Sequence, residues 1–242
     1  LDFGFMEQMR ARTGRKKEDF WLMGEVIHGD YSRYIQDGQK MLHSVTNYEL
    51  HKGLYSGHND HNYFEIAHTI RREFDENGGI YRGMKLYSFV DNHDVDRIAS
   101  KLQDQACLIP VHALLYFLPG IPSVYYGSEF GISGRKEGGN DAPLRPALSL
   151  KELEKEAPHP ELAEWIRQMS KIRRKHPACT EGRYRELLLT NRQYAFCRYS
   201  DSDYLLVAVN NDPQEAEVQI PVEGAFTYTN VLTKEEAPVE NG

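Results

Sequence analysis

The chain has 242 residues, of which 40% are hydrophobic and 27% charged, and its formal net charge is -7. This composition predicts a soluble globular protein with a sizeable core, and it argues against the polycationic surface that nucleic-acid binding requires. No apolar run reaches the length of a membrane span, so we expect neither nucleic acid nor a membrane as a partner. The cysteines Cys107, Cys179 and Cys197 lack CxxC spacing, which is typical of reduced thiols in a core.

Strands and helices alternate through the first two thirds of the sequence. Phe5, Met6 and Met9 recur at helical spacing in a helix predicted over residues 1–12, with Gly14 as its stop. Apolar runs then predict strands that begin near residues 21, 43, 86 and 121, with helices between them. Such βα units imply a parallel sheet, and four of them make half of a (β/α)8 barrel, the TIM barrel.

The connection after the second strand is predicted to contain a loop and then a helix. Gly53, Gly57 and Asn59 mark the loop, and Asp60 or Asn62 is the expected cap of the helix that follows. The periodicity of apolar residues predicts a short helix near residues 31–36 and longer helices over 64–74, 105–118 and 161–175.

The pattern changes after Pro177. Short runs separated by Asn, Asp, Gly and Pro predict an antiparallel β-sandwich domain, with strands over 184–189, 194–199, 204–209, 217–222 and 226–232. We place the domain boundary so that residues 1–176 form the half-barrel region and residues 177–242 form the C-terminal all-β domain.

Two of the predicted strands end in polar side chains. The stretch 86–97, LYSFVDNHDVDR, passes from an apolar run to a cluster that includes His93 and Asp94, and the stretch 21–30, WLMGEVIHGD, passes through Glu25. The carboxyl ends of parallel strands are where α/β folds place their chemistry, so we expect one shared site. Glycoside hydrolysis needs paired carboxylates of this kind, because one protonates the leaving oxygen while anions stabilise an oxocarbenium-like transition state.

These carboxylates allow other interpretations. Partial burial of Glu25 would suit it to proton donation, but the same side chain could cap the next helix or pair with an arginine. His93 and Asp94, with Asn92 and Arg97 nearby, could hold a polyhydroxylated ligand through hydrogen bonds. Metal ligation is the less favoured alternative, because no second His or Cys sits at ligand spacing, and no metal site is predicted.

Three motifs, taken together, resemble a known family. GEVIHGDY at 24–31, FVDNHD at 89–94 and GIPSVYYGSEFG at 120–131, in this order, resemble the carboxyl-terminal half of the α-amylase family of glycoside hydrolases, in its neopullulanase, cyclomaltodextrinase and maltodextrin glucosidase branch. The resemblance covers nearly the whole chain. It implies strands 5–8 of a (β/α)8 TIM barrel followed by the β-domain, and a retaining hydrolase of α-1,4 or possible α-1,6 bonds in maltooligosaccharides or starch-like substrates.

The resemblance also implies roles for individual residues. Glu25 matches the general acid/base of the family, and Asp94 matches the carboxylate that binds sugar hydroxyls and stabilises the transition state. His93 matches a histidine that hydrogen-bonds the sugar. His28 and Asn47 are weaker candidates for substrate contact.

The segment GNDAPLRP at 139–146 resembles the family's loop after the eighth strand. There Asp141 and Arg145 are expected to order the edge of the site, although an exposed turn salt bridge would explain them equally well. Relatives commonly bind Ca²⁺, but we assign no residue of this sequence to that ion and expect no other cofactor.

The sequence departs from the family at its beginning. The family's nucleophile is an Asp in a G-x-R-x-D motif, and no such motif precedes the helix predicted over residues 1–12. We therefore expect a fragment of a larger enzyme that carries Glu25 and Asp94 without the nucleophile and is inactive alone. A half barrel leaves sheet edges uncovered, so a homo-oligomer formed through those edges is also expected.

Two other classes of function stay open. One is non-catalytic carbohydrate binding, in which sugar rings stack on the aromatic residues Tyr31, Tyr48, Tyr125 and Tyr126. The other is a transporter partner subunit or a transglycosylase on the same fold, since fold does not determine function. The presence of Glu25 and Asp94 argues against a lineage that has lost catalysis, whereas hydrolases and transglycosylases use the same carboxylates.

Overall fold

The computed structural model describes residues 2–35, 40–222 and 227–239. Its helices are α1 (Phe3–Lys16), α2 (Ser32–Ile35), α3 (Tyr48–Asn59), α4 (Phe64–Phe74), α5 (Ile98–Lys101), α6 (Leu108–Phe117), α7 (Leu150–Glu156) and α8 (Pro160–Lys175). Its strands are β1 (Met23–Gly24), β2 (Ser44–Val45), β3 (Tyr87–Phe89), β4 (Ile121–Ser123), β5 (Arg183–Leu189), β6 (Gln193–Tyr199), β7 (Tyr204–Asn210), β8 (Thr227–Thr229) and β9 (Glu236–Pro238).

Strands β1 to β4 run parallel in chain order. Strand β1 pairs with β2, and β3 pairs with β4, while a parallel bridge between Thr46 and Tyr87 joins the two pairs. Four parallel strands joined by helical connections are half of an eight-stranded barrel, as the sequence predicted. Their carboxyl ends lie at one edge, so the segments that follow them meet there.

The core lies between this sheet and the helices that cover its outer face. Helix α6 is apolar over most of its length and buries Leu108, Val111 and Leu114 completely or nearly so. Leu54 of α3 and Ile66 of α4 are fully buried as well. Burial of each such side chain contributes about 1.5–3 kcal/mol, so the outer layer of helices fixes the sheet beneath the site.

Residues 48–59 form helix α3, which corrects the predicted loop. A Cβ on Gly57 would lie 3.0 Å from the Cγ1 atom of Ile66, so the glycine permits α3 and α4 to pack closely. Neither predicted cap of α4 is used, because Tyr63 occupies the N-cap position. Glycine therefore marks a helix contact at this point, and not a break in the chain.

Other element boundaries differ from the prediction. Helix α1 continues through Gly14 to Lys16, and the strand predicted to begin near residue 21 is limited to the two residues of β1. In the described residues β1 pairs only with β2, so few residues of the apolar run take part in strand hydrogen bonding. The last residue of the short helix predicted at 31–36 lies outside the described residues.

The C-terminal region is antiparallel and all-β, as predicted. Strands β5, β6 and β7 form one sheet, and β8 pairs with β9. The rings of Tyr204 and Tyr228 lie 5.9 Å apart and connect the two. The predicted strand at 217–222 is irregular; Pro221 in that run has no N–H to donate to a ladder. Strand β9 was not predicted, and Phe226 lies outside the described residues.

Two buried arginines join the all-β region to the half barrel. Arg198 donates to the carbonyl oxygen of Phe117 at 3.1 Å, and Arg173 donates to that of Tyr116, so both cap the carboxyl end of α6. Burial lowers the pKa of Arg198 to about 10. All three cysteines are buried free thiols, as predicted. Within the described ranges, no helix is both long and apolar enough to cross a bilayer.

Candidate active site

A hydrogen-bonded path connects the ends of three neighbouring parallel strands. Glu25 follows β1, Tyr48 lies just beyond β2, and Asn92 and Asp94 lie beyond β3. The hydroxyl of Tyr48 donates to Glu25 Oε1 at 2.9 Å and accepts from Asn92 Nδ2 at 3.1 Å. The Oδ1 atom of Asn92 then accepts from the backbone N–H of Asp94 at 2.8 Å. The sheet thus brings together the two carboxylates that the sequence singled out.

His93 precedes Asp94 in the chain, and its ring lies near Glu25. Its Nε2 atom is 3.7 Å from Glu25 Oε2, and its carbonyl oxygen accepts from Arg145 Nε at 2.9 Å. The side chain of Glu25 is 40% exposed and therefore only partly covered by its neighbours. Its contacts are with Tyr48 and His93, so it is neither a helix cap nor an arginine partner in these contacts. A ligand approaching this edge would meet the carboxylate directly.

Tyr48 is held rigidly at the centre of the path. Its ring packs edge to face on Phe89 with centroids 5.0 Å apart. Burial raises the pKa of Tyr48 to about 12, and the negative charges of Glu25 and Asp94 add to that rise. The phenol therefore stays protonated at neutral pH and keeps its O–H available to Glu25.

The loop after β4 adds a lysine to this surface. Lys136 Nζ donates to Asp94 Oδ1 at 2.6 Å and lies 3.2 Å from Asp141 Oδ1. Arg145 pairs with the other oxygen of Asp141 at 3.1 Å. The Lys136 hydrogen bond holds the pKa of Asp94 below its usual range. Asp141 and Arg145 thus form the turn salt bridge that the sequence also allowed, and Lys136 connects this pair to Asp94.

A network of buried polar side chains holds the loop after β4 in place. Asp91 is 1% exposed and accepts from Ser128 Oγ at 2.6 Å and from the N–H of Ile98 at 2.8 Å. Arg97 is fully buried and donates to the carbonyl oxygens of Tyr126 and Leu144. Burial raises the pKa of Asp91. The prediction that Arg97 is available to a ligand is therefore wrong, because its guanidinium ties loops together.

Asn47 is also buried and does not reach the exposed surface. Its Oδ1 atom accepts from the N–H of Leu50 at 2.9 Å, which caps α3, and its Nδ2 atom donates to Glu73 Oε2 at 2.7 Å. Substrate contact by Asn47 is therefore corrected to a capping role. Burial raises the pKa of Glu73 to about 8. The pair fixes the start of the helix that carries Tyr48.

The remaining predicted contacts divide between exposed and buried positions. His28 is exposed in the connection after β1. Tyr31 is 1% exposed and stacks on Tyr81 with ring centroids 5.1 Å apart, so it cannot stack on a sugar. Tyr125 and Tyr126 are covered on one side by the guanidinium of Arg97, whose central carbon is 4.2 Å from the Tyr125 centroid.

Two important residues escaped the sequence reasoning. The sequence predicts Tyr48 only as a stacking ring and predicts no role for Lys136. Tyr48 follows directly on the strand end that carries Asn47, and this position was the available signal. Lys136 lies in a loop more than forty residues from Asp94 along the chain, so no local pattern could associate them.

Clustering of metal-ligating side chains was the remaining feature to compare with the sequence expectation. In ranges 2–35, 40–222 and 227–239, no group of three or more His, Cys, Asp or Glu side chains lies together in a way that could hold a metal ion.

The arrangement brings groups that donate and accept hydrogen bonds and protons onto one surface. It offers two exposed carboxylates, a histidine and a fixed phenol within one edge of the sheet. Carboxylates accept hydrogen bonds from sugar hydroxyls, and a carboxyl group can transfer a proton to a glycosidic oxygen.

Comparison with known proteins identifies the family of both regions of the chain. The family model for the α-amylase catalytic domain matches residues 2–182, and the model for the α-amylase C-terminal all-β domain matches residues 180–241. A maltogenic α-amylase of Bacillus acidopullulyticus is 24% identical over 255 residues, which cover 100% of this chain and 41% of that protein. Neopullulanase 2 of Thermoactinomyces vulgaris is 23% identical, and the match covers 100% of this chain and 41% of that protein. A β/α-amylase of Paenibacillus polymyxa is 25% identical, with 92% and 18% covered.

Solved structures share the fold. An Anoxybacillus α-amylase superposes with a TM-score of 0.77 at 20% identity, covering 100% of this chain and 53% of that one. A cyclomaltodextrinase superposes with the same TM-score at 21% identity, covering 95% and 38%. The chain spans 18% to 41% of the lengths of the curated relatives named above. Since the two domain models match in succession along almost the whole sequence, the chain belongs to the α-amylase family.

Proposed function

We propose that this chain carries part of the active site of a retaining α-glucan hydrolase. Glu25 is the general acid/base, which protonates the glycosidic oxygen, and Asp94 binds sugar hydroxyls and stabilises the oxocarbenium-like transition state. The observation that supports this most directly is the hydrogen-bonded path from Glu25 through Tyr48 and Asn92 to Asp94. It keeps both carboxylates on one exposed edge, where a single sugar can contact them.

The substrate class we propose is maltooligosaccharides whose glucosyl units are joined by α-1,4 or α-1,6 bonds. The relatives carry names such as maltogenic α-amylase, cyclomaltodextrinase and neopullulanase, and these support the assignment. His93 is the proposed hydrogen-bond partner of the sugar in the subsite between Glu25 and Asp94. Asp141 and Arg145 form the rim of that subsite.

The nucleophile is proposed to lie outside these 242 residues. Retaining hydrolysis requires a second carboxylate about 5 Å from the acid/base, and the G-x-R-x-D motif that carries it in the family is absent from this sequence. The chain alone is therefore expected to bind maltooligosaccharides without hydrolysing them at an appreciable rate.

Calorimetry with maltotriose tests the proposal. We expect measurable binding by the wild-type chain and at least about tenfold weaker binding by Asp94→Asn, a loss of roughly 1.4 kcal/mol. Glu25→Gln is the matched control, because it keeps a hydrogen-bonding side chain and should bind within a few fold of wild type. Thermal unfolding of each variant shows that the fold is intact. Absence of maltotriose binding by the wild-type chain would refute the proposed function.

Hydrolysis of maltodextrin is measured in the same samples. Negligible release of glucose and maltose is expected from the wild-type chain. Robust release that Glu25→Gln abolishes would contradict the proposal that the nucleophile is missing. Binding without release also describes a purely carbohydrate-binding role, and the burial of Tyr31 removes one of the stacking rings on which that alternative depended.

A second copy of the chain is the partner we propose for the β1 edge. In the described residues β1 pairs only with β2, and the side chains beside it are exposed, with Trp21 at 44% and Met23 at 37%. A two-fold axis can place two such edges against each other. Light scattering should give the mass of a dimer, and Trp21→Lys should give a monomer. A wild-type mass of one compact monomer would overturn this part of the proposal.

A further inference from the structure

Lys136 is placed where two acidic side chains from different loops meet. Its ammonium donates to Asp94 Oδ1 at 2.6 Å and forms an ion pair with Asp141 Oδ1 at 3.2 Å. Arg145, on the far side of Asp141, reaches back to the carbonyl oxygen of His93. The loops after β3 and β4 are therefore connected by a line of alternating charges that ends on Asp94.

The backbone around Lys136 is fixed, which distinguishes it from an ordinary surface lysine. The N–H of Lys136 donates to Asp96 Oδ1 at 2.8 Å. Two residues earlier, Gly134 donates to Ser100 Oγ at 2.8 Å and accepts from the N–H of Arg97 at 2.9 Å. Because these contacts hold the loop, the lysine stem starts from a defined position and less side-chain freedom is lost when the ammonium meets Asp94.

The charges around Asp94 make Lys136 its main electrostatic partner. The groups that face the Asp94 carboxylate are Lys136, His93 and Arg145, and the pKa of the carboxyl is lowered chiefly by the hydrogen bond from Lys136. In turn, Asp94 and Asp141 raise the pKa of Lys136, so the ammonium stays charged at neutral pH. The pair is exposed to solvent on one side, which leaves it accessible to a ligand.

We propose that Lys136 is a positioning residue for Asp94 and that its ammonium completes the subsite for two adjacent sugar hydroxyls. This inference rests on the proposed function. An ammonium has three N–H donors, and two of them face Asp94 and Asp141. The third donates to one hydroxyl oxygen of the sugar, while the neighbouring hydroxyl donates to the Asp94 carboxylate that Lys136 holds in place. Adjacent hydroxyls of a glucosyl unit provide this pair of groups.

The test compares Lys136→Met with Lys136→Arg in the 242-residue chain. Calorimetry with maltotriose at pH 7 should show about tenfold weaker binding by Lys136→Met and at least partial recovery by Lys136→Arg. Lys85→Met is the matched control, because Lys85 forms its ion pair with Glu181, a residue outside the site. It should bind as the wild type does.

A second measurement reports on Asp94 itself. Carboxyl carbon NMR of the free chain, with the fold verified by circular dichroism at each pH, gives the Asp94 titration. Replacing Lys136 by Met should raise this pKa toward the ordinary Asp value of about 3.9. A role of Lys136 in loop structure alone would not produce that shift together with recovery by Arg.

The possible results separate this inference from the proposed function. Maltotriose binding by wild type with equal binding by Lys136→Met overturns the role of Lys136 and leaves the proposed function standing. An unchanged Asp94 titration in Lys136→Met overturns the positioning role directly. Absence of binding by wild type overturns the proposed function and, with it, the subsite. Weaker binding, a raised Asp94 titration and recovery by Arg together support the inference.

Discussion

Asp91 and Asp94 lie three residues apart in one loop and occupy opposite environments. Asp91 is buried, accepts from Ser128 and Ile98, and has its pKa raised by loss of solvent. The side chain of Asp94 is 37% exposed, and the hydrogen bond from Lys136 lowers its pKa. We name the first environment the buried layer (Asp91, Arg97, Ser128) and the second the surface layer (Glu25, Tyr48, Asp94, Lys136).

The difference shows how one strand end serves two purposes. The buried layer joins the loops after β3 and β4, because Arg97 donates to backbone carbonyls on the far loop. Because these contacts hold the loops in place, the surface layer presents its carboxylates to solvent in fixed positions. Substitutions in the buried layer should therefore affect stability first, and substitutions in the surface layer should affect ligand binding first.

Removing the buried cation should have the largest effect. Arg97→Met removes the positive charge that favours the ionised form of Asp91 and leaves the carbonyl oxygens of Tyr126 and Leu144 without this donor. We expect a loss of about 3–5 kcal/mol in the free energy of unfolding, measured by urea denaturation. Arg135→Met is the control, because Arg135 is exposed in the neighbouring loop and should change stability by less than about 0.5 kcal/mol. Equal effects of the two variants would contradict the distinction between layers.

Glu73 provides a pH test of the second buried support, beneath Tyr48. Burial raises its pKa to about 8 from an ordinary value near 4.5, so the folded state keeps the proton over a range in which the unfolded state loses it. Glu73 makes its full contribution to the free energy of unfolding below pH 4.5. This contribution is lost as the pH rises to about 8. We expect wild type to lose stability on the order of a few kcal/mol across that range.

Glu73→Gln should remove most of this pH dependence. Glutamine keeps an acceptor for Asn47 but has no proton to lose. The measurement is the urea midpoint at pH 5, 6.5 and 8, and the control is Glu154→Gln on the exposed surface of α7, which should retain the wild-type slope. Parallel pH profiles for wild type and Glu73→Gln would show that Glu73 does not titrate as stated.

The surface layer should respond more weakly in stability. Tyr48→Phe removes the hydroxyl that joins Glu25 to Asn92 while the ring keeps its packing on Phe89. Loss of these hydrogen bonds at a half-exposed position should cost about 1 kcal/mol in unfolding. Maltotriose binding should weaken about three- to tenfold, because Asn92, which accepts from the N–H of Asp94, loses its contact with the phenol. A loss of unfolding free energy as large as that of Arg97→Met would contradict the distinction between the buried layer and the surface layer.

The sequence alone determined much of this protein. Alternating strands and helices gave four parallel strands, because apolar runs bounded by polar clusters are a local signal. The motifs around Glu25 and His93–Asp94 gave the family and the two exposed carboxylates, since the carboxyl ends of parallel strands share one edge. The polar character of Asn47 and Arg97 was visible, but their burial was not.

Only the tertiary structure decided which polar residues face solvent and which hold the loops. Arg97 and Asp94 belong to the same polar stretch, and the direction of each side chain depends on carbonyl groups and loops from distant parts of the chain. The sequence pattern places Gly57 in a loop, because glycine is common in loops. In the structure its missing side chain allows α3 and α4 to pack closely. The contact between Lys136 and Asp94 has no local signature, since the fold of the β4 loop brings them together.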